Sequence, residues 1–155
     1  MKRWYVFGAI ALVIAIAIAA LFFVASGRPV KPDGPYVEMW GDKSYVIVNL
    51  EVADNMLSRS VGLMYRMKLD QRSGMLFIFD QPGIYPFWMQ NTYIPLDMLF
   101  ISDNDTIVDI IPDTQPFNET ALYPRAEHKY VLEVNAGFCE KYGIEIGDVI
   151  KIKLN

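Results

Sequence analysis

The chain has 155 residues, 53% of them hydrophobic, and a formal net charge of −4, which suits one domain with short additional segments. Segment 1–27 holds only two charged residues, Lys2 and Arg3, so the remainder carries 12 basic and 18 acidic residues, a net charge of −6. This acidic excess argues against nucleic acid as a partner. The single cysteine, Cys139, excludes an internal disulfide framework.

An uncharged apolar segment, residues 4–25, lies near the N-terminus. As a helix it would rise about 33 Å at roughly 1.5 Å per residue, enough to cross a hydrocarbon core about 30 Å thick. Lys2 and Arg3 precede it, so the positive-inside rule places residues 1–3 in the cytoplasm and the following domain outside it. We therefore predict a single-pass signal anchor in the cell membrane. Cleavage of the same segment as a signal peptide would instead give a secreted domain.

Residues 26–35 combine three prolines with glycines and charged residues, which is typical of a semi-extended linker. The rest of the chain, residues 36–155, is long enough to bury a hydrophobic core. We therefore predict one extracytoplasmic globular domain that is held off the membrane by this linker.

The first elements of this domain are a predicted strand and a predicted helix. Residues 44–53 alternate between apolar and polar side chains, which indicates a strand. Residues 53–64 change to helical spacing, with Asp54 as a candidate N-cap and Gly62 as a candidate end of the helix.

Short apolar runs separated by turn residues predict most of the later elements. Polar residues at 80–83 and 103–105 indicate turns, and residues 112–125 indicate a long polar loop. The predicted fold is mostly β within the α+β class: an antiparallel, partly barrel-like sheet with two short helices, preceded by one transmembrane helix. The later predicted strands are 74–79, 85–91, 97–102, 106–111, 129–137 and 147–154, with the second helix at 136–143.

Four sequence blocks occur in order along residues 46–152 and resemble the domain of unknown function 192 family. They are Gly-Leu-Met-x-Arg at 62–66, Gly-Met-Leu-Phe at 74–77, Trp-Met-x-Asn-Thr-x-Ile-Pro-Leu-Asp at 88–97 and Leu-Glu-x-x-Ala-Gly at 132–137. The resemblance implies a compact, largely β, single domain that is often exported. It implies no activity, so it transfers no catalytic residues to this chain.

The third of these blocks also contains most of the candidate binding residues. Trp88 could act as an aromatic platform beside planar polar side chains, a combination that suits a glycan or a peptide. The alternative is that Trp88 and its neighbour Met89, which point to opposite faces, both pack structurally. The candidate ligand-binding residues are Arg66, Trp88, Asn91, Asp97 and Glu133.

Carboxylates on the predicted strands require partners if they are buried. The alternation places Asp97 with Leu99 and Ile101, and Glu133 with Val131. Of the nearby arginines, Arg59, Arg66 and Arg72, we expect Arg66 to form a bidentate pair with Asp97 or with Glu51. Such a pair could be a ligand site or a structural ion pair that holds the helix to the sheet.

Two other functions remain as alternatives: an envelope hydrolase that uses Asp97 and Glu133 as an acid–base pair, and a Cu(I)-binding protein. We predict no metal site and no cofactor, an exposed His128 and an unreactive Cys139. The favoured function is a non-catalytic module that binds a glycan, a peptide or an envelope protein. The methionines that could bind Cu(I) are Met64, Met67, Met75, Met89 and Met98.

Overall fold

The computed structural model describes residues 31–154. The predicted anchor at 4–25 and the first half of the predicted linker lie outside these residues. Residues 31–35 form neither a helix nor a strand. In the range 31–154, no helix has the length and apolar character needed to cross a membrane.

The described residues form seven strands and two short helices, so the mostly β prediction is confirmed. The strands are β1 (Tyr36–Trp40), β2 (Tyr45–Ala53), β3 (Ser73–Gly83), β4 (Leu96–Ile101), β5 (Ile107–Thr114), β6 (His128–Asn135) and β7 (Lys151–Lys153). The helices are α1 (Met56–Val61) and α2 (Phe138–Tyr142).

All seven strands belong to one sheet with the order β5-β4-β6-β3-β2-β1-β7. The sheet is mixed, so the prediction of a wholly antiparallel sheet is wrong: β2 and β3 run parallel. The reason is that residues 54–72, which include α1, are long enough to return the chain to the same end of the sheet. The sheet is also not closed into a barrel, since its edge strands β5 and β7 do not pair with each other. The chain near the start of each strand meets the other only at the isolated Thr106–Val149 bridge and in hydrogen bonds between residues 105–107 and 147–150.

The helix α1 begins one residue later than predicted. Its N-cap is Asn55, whose side chain accepts a hydrogen bond from the backbone N–H of Ser58 at 3.0 Å, while the Ser58 hydroxyl accepts one from the Asn55 N–H. This reciprocal capping box satisfies two N–H groups that the first turn leaves free. The helix ends at Gly62, as predicted, where φ is +50°.

Two predictions between residues 80 and 91 are wrong. Strand β3 continues to Gly83, so residues 80–83 are not a separate turn. Residues 85–91 are not a strand, because only Phe87 forms a β-bridge, to Leu122. Backbone pairing with a distant loop competes with the local apolar pattern, which by itself does not distinguish a strand from a packed loop.

The sheet separates two hydrophobic cores. Successive side chains of β6 point to opposite faces of the sheet, so Leu132 and Val134 belong to the first core and Val131 belongs to the second. The first core also contains Leu99 and is covered by α2. The second core also contains Phe100 and is covered by residues 62–72 and by the loops around residues 84–95 and 115–127.

Two glycines of the family blocks have a steric role, Gly74 on the side of the first core and Gly62 beside the second core. A Cβ at Gly74 would lie 2.6 Å from the Glu133 backbone oxygen, so only glycine lets β3 and β6 approach this closely. At Gly62 a Cβ would lie 3.1 Å from the Phe77 ring, in a backbone conformation that L-residues rarely adopt.

Candidate functional site

A groove with a volume of about 330 Å³ opens beside the second core. This is at the lower end of the range for small-molecule pockets, roughly 300–1,000 Å³. Helix α1 and the segment after it form one wall, the segment from Tyr85 to Thr92 forms the other, and β3 and β6 form the floor. We call it the Glu133 groove, and its lining residues are Met56, Arg59, Ser60, Val61, Gly62, Leu63, Met64, Phe77, Phe79, Tyr85, Pro86, Phe87, Trp88, Thr92 and Glu133.

The wall that contains Trp88 is ordered although it lies in neither a strand nor a helix. The N–H of Phe87 donates to the Leu122 carbonyl at 3.0 Å, and the Leu122 N–H donates back at 2.7 Å. The Met89 N–H donates to the Asn118 carbonyl at 2.8 Å. Because these hydrogen bonds join two loops, the wall is rigid enough to present side chains in fixed positions.

Trp88 and Met89 point to opposite sides of this wall, which confirms the prediction. Met89 is fully buried in the second core, where its sulfur lies 3.2 Å from the Thr114 hydroxyl. Trp88 is 51% exposed and lines the groove. A large aromatic side chain left half in solvent is available for a ligand in a way that Met89 is not.

Aromatic side chains dominate the groove. Phe79 and Tyr85 stack with ring centroids 3.9 Å apart, and Phe77 meets Phe87 edge to face at 5.0 Å. Such pairs hold each other in place. Together with Trp88 they give the groove a preformed aromatic lining.

Glu133 is the one carboxyl group in this aromatic setting. It lies on β6 between Met75 of β3 and Met98 of β4, and only 4% of it is exposed. Among the described residues its carboxyl group has no hydrogen-bond or ion-pair partner, and burial raises its pKa to about 8. The alternation correctly placed Glu133 with Val131, but the sequence did not show which side chains would surround it.

Arg59 is the cation of the groove, but it does not pair with Glu133. Its Nη1 donates to the Asp54 carbonyl at 2.8 Å and to the Ile78 carbonyl at 2.7 Å. Its guanidinium lies 5.3 Å from the centroid of the Phe79 ring. The side chain therefore ties α1 to β3 and shows that the aromatic lining accommodates a positive charge.

Asp97 is not part of the groove. It pairs in register with Val134, so its side chain lies on the face of the sheet opposite to Glu133. There its carboxylate accepts hydrogen bonds from the backbone N–H groups of Asp113 at 3.0 Å, Gly137 at 3.2 Å and Cys139 at 2.9 Å. Asp97 thus joins β4 to the end of β5 and to α2, and the two carboxyl groups cannot form the predicted acid–base pair.

Arg66 pairs with Glu51, one of its two predicted partners, and not with Asp97. The contact is bidentate, with Nη2 at 2.6 Å from Oε2. The side chains are 35% and 51% exposed, so this pair contributes at most about 1 kcal/mol to stability. Neither residue lines the groove.

Asn91 has a local structural role. It adopts a left-handed conformation with φ of +53°, its Nδ2 donates to the Tyr65 hydroxyl at 3.0 Å, and its carbonyl accepts from the Tyr65 N–H at 2.8 Å. Of the five predicted site residues, the structure brings only Trp88 and Glu133 together in the groove.

Two further predictions concern His128 and Cys139. His128 is fully buried against Phe79, Tyr85 and Phe100, so its predicted exposure is wrong, and burial lowers its pKa. Cys139 is buried, and burial beside Asp97 raises the pKa of its thiol, which is consistent with an unreactive cysteine.

The five candidate copper-binding methionines do not form one set, because three pack in the second core and at least one is exposed. Met75, Met89 and Met98 are buried in the second core, whereas Met67 is 77% exposed. Core packing therefore accounts for most of these thioethers without a copper ion.

The sequence patterns did not identify the groove residues Met56, Ser60 and Val61 of α1. Met56 and Leu57 have the spacing of a buried helix face, yet they are 83% and 74% exposed. No residue of α1 is buried. Helical spacing shows that apolar residues share one face of a helix. It does not show whether the rest of the protein buries that face.

Comparison with known proteins supports the same fold. The chain is 27% identical over 107 residues to the UPF0127 protein PH1112 of Pyrococcus horikoshii, covering 66% of this chain and 85% of that relative. A crystal structure from Sinorhizobium meliloti 1021, described as a candidate transcription regulator, matches with a TM-score of 0.74 and 35% identity, over 81% of this chain and 98% of that one. A protein of unknown function from Novosphingobium aromaticivorans DSM 12444 matches with a TM-score of 0.73 and 31% identity, over 81% of this chain and 91% of that one.

The family assignment rests on a longer match. The model of the domain of unknown function 192, described as "Uncharacterized ACR", matches residues 38–152, well over half of the chain and nearly all of the described sheet. All four sequence blocks lie within the matched residues. This chain belongs to the domain of unknown function 192 family.

Proposed function

We propose that this protein is a non-catalytic binding module whose Glu133 groove holds a small organic ligand or a peptide side chain. The observation that carries the proposal is the unpartnered carboxyl group of Glu133 at the floor of an aromatic groove. An unpaired polar group at a buried position destabilises the fold, and a bound partner would offset that cost.

Exposed apolar side chains beside the groove support the same proposal. Met56, Leu57 and Val61 of α1 are 83%, 74% and 45% exposed, and Trp88 across the groove is 51% exposed. Grouped exposed apolar residues commonly mark binding surfaces. The groove offers few planar polar groups, so among the ligand classes that the sequence suggested a peptide or a small molecule fits better than a glycan.

The arrangement favours binding over hydrolysis. Acid–base catalysis by two carboxyl groups needs both of them near one scissile bond. Asp97 and Glu133 lie on opposite faces of the sheet, and Asp97 is occupied by three backbone N–H groups. The proposed module therefore uses Glu133 to recognise a ligand and not to cleave it.

The location of the module is also part of the proposal. The apolar segment 4–25 would anchor the protein by a single pass, with residues 1–3 in the cytoplasm and the groove outside. A ligand or envelope protein would then reach the groove from the extracytoplasmic side. Residues 31–154 carry 11 basic and 18 acidic residues, which disfavours nucleic acid, so no transcriptional role is proposed.

A topology experiment tests this location. Protease added to intact spheroplasts should digest the domain, and a C-terminal alkaline phosphatase fusion should be active. The chain should remain in the membrane fraction after a high-salt wash, because burial of an apolar helix is not screened by salt. Protection from protease in spheroplasts together with an inactive fusion would contradict the proposed orientation.

Removal of Trp88 tests the groove itself. In a thermal-shift screen with small organic compounds and short peptides, a ligand at 100 times its Kd should stabilise the protein by about 2.7 kcal/mol. Trp88→Ala should abolish the shift caused by each groove ligand. It should change the stability of the free protein by less than about 1 kcal/mol, since half of the side chain is already in solvent.

The matched control is Trp40→Ala. Trp40 is 50% exposed, lies on β1 and does not line the groove. Its removal should leave every ligand-induced shift intact. Ligands whose shifts survive in Trp88→Ala but disappear in Trp40→Ala would place the site elsewhere and refute the proposed function.

A further inference from the structure

We infer that the Glu133 groove recognises an organic ammonium ion, with the Glu133 carboxylate as its counter-ion and the aromatic side chains around its alkyl groups. The inference rests on the proposed function and adds the charge of the ligand to it. It gives the role of counter-ion to Glu133, which has the only anionic side chain among the residues that line the groove.

The Glu133 carboxyl group has no partner among the residues that line the groove. The titratable or charged side chains of the lining are Arg59 on α1, Tyr85 after β3, and Glu133 itself on β6. Arg59 donates to two backbone carbonyls, and the Tyr85 hydroxyl donates to the Gln81 carbonyl at 3.0 Å. The strand neighbours of Glu133 on the same face, Met75 and Met98, are apolar. No group on these elements supplies the positive charge that a buried carboxylate needs.

The aromatic lining of the groove is suited to a cation. The faces of aromatic rings attract cations, and this attraction grows as the cation loses its water. The groove already shows such a contact, because the Arg59 guanidinium lies 5.3 Å from the Phe79 ring centroid. Trp88, the best aromatic partner for a cation, faces the groove with half of its surface free.

Ligands of other charge fit the groove less well. An anion would meet the Glu133 carboxyl group and the negative faces of the rings, both of which oppose it. The one cation of the lining, Arg59, already donates to two backbone carbonyls. A neutral apolar ligand would fill the groove but would leave the carboxyl group without a partner and further removed from water. An ammonium ion that carries alkyl groups satisfies the carboxylate and the rings together.

Proton linkage gives this inference a distinctive signature. Burial holds the pKa of Glu133 at about 8, so near pH 7 most molecules carry a protonated carboxyl group. An ammonium ion binds the ionised form, so its binding releases a proton, and its affinity should rise about tenfold per pH unit below pH 8 and level off above it. A neutral ligand shows no such dependence.

The test compares choline with 3,3-dimethyl-1-butanol, its uncharged isostere, on the full chain in a non-ionic detergent. Binding is followed by NMR line broadening of each compound and by thermal shift, at pH 6, 7 and 8.5. We expect choline to bind at least tenfold more tightly than the alcohol at pH 8.5. This preference should fall toward pH 6 and disappear in Glu133→Gln, whose side chain keeps the shape without the charge.

The possible results separate the two proposals. Equal binding of both compounds, or tighter binding of the alcohol, overturns the ammonium inference and leaves the groove as an apolar binding site, provided that Trp88→Ala abolishes that binding. A choline preference that persists in Glu133→Gln places the counter-ion elsewhere and also overturns the inference. If neither compound binds at 100 mM and the wider screen finds no ligand sensitive to Trp88→Ala, both proposals fail.

Discussion

Glu133→Gln is expected to abolish most of the loss of stability that the parent protein undergoes between pH 5 and pH 8. The carboxyl group of Glu133 has a folded-state pKa of about 8, above its ordinary value of 4.5. Between these values the folded state holds a proton that the unfolded state has lost. The stabilisation by the protonated form is therefore complete below about pH 4.5 and is lost as the pH rises through 8.

The expected size of this effect is several kcal/mol, since each unit of pKa difference corresponds to about 1.4 kcal/mol. Urea unfolding at pH 5, 6, 7 and 8 measures it directly. The parent should lose stability toward pH 8, whereas Glu133→Gln should not, and the variant should be more stable than the parent at pH 8. Burial lowers the pKa of His128, so both proteins should share a gain in stability as the pH rises toward 6.5, and the difference between the two profiles isolates Glu133.

The control for this series is Glu119→Gln, which alters an exposed glutamate in the loop after β5. Its pH profile should match that of the parent. A parent and a Glu133→Gln variant with parallel profiles would show that the Glu133 carboxyl group already has a partner in solution, and the groove proposal would lose its main support.

Asp97→Asn is expected to destabilise the protein by about 3 kcal/mol, because hydrogen bonds to a charged group contribute roughly 1.5–3 kcal/mol each and a buried donor left unpaired adds a further cost. The carboxylate accepts three backbone N–H groups with both oxygens. An asparagine has one acceptor oxygen, and its amide NH₂ would face at least one of these N–H groups. Chemical unfolding at pH 7 gives the value.

Asp103→Asn is the matched control, because Asp103 is exposed in the turn between β4 and β5. It should change the free energy of unfolding by less than about 0.5 kcal/mol. Ligand-induced shifts should persist in folded Asp97→Asn, since Asp97 lies on the other face of the sheet. A stable Asp97→Asn variant that no longer binds groove ligands would contradict this placement and show that Asp97 takes part in binding.

Glu133 and Asp97 illustrate why a buried carboxyl group is ambiguous evidence for a functional site. Both are almost fully buried, and they lie on neighbouring strands. Asp97 accepts hydrogen bonds from backbone donors and organises the fold, whereas Glu133 has no hydrogen-bond partner among the described residues and faces a groove. The hydrogen-bond partners of a carboxyl group, not its burial, distinguish these two roles.

The sequence by itself determined the features that depend on local order along the chain. Alternation identified the strands at 44–53, 97–102, 106–111 and 129–137, and it placed Asp97 and Glu133 on the correct faces of their strands. These predictions succeed because a strand repeats every two residues whatever lies beside it. The family blocks likewise depend only on the order of residues.

The tertiary structure alone decided which segments meet. Strand β3 lies parallel to β2, and the segment around Trp88 pairs with a loop some 30 residues away. Arg66 forms its ion pair with Glu51 and not with Asp97. Partners in space come from loop closure, sheet order and packing, none of which leaves a periodic signal in one sequence. For the same reason only the folded chain shows that the Glu133 carboxyl group, alone among the candidate site residues, is left without a partner in an aromatic groove.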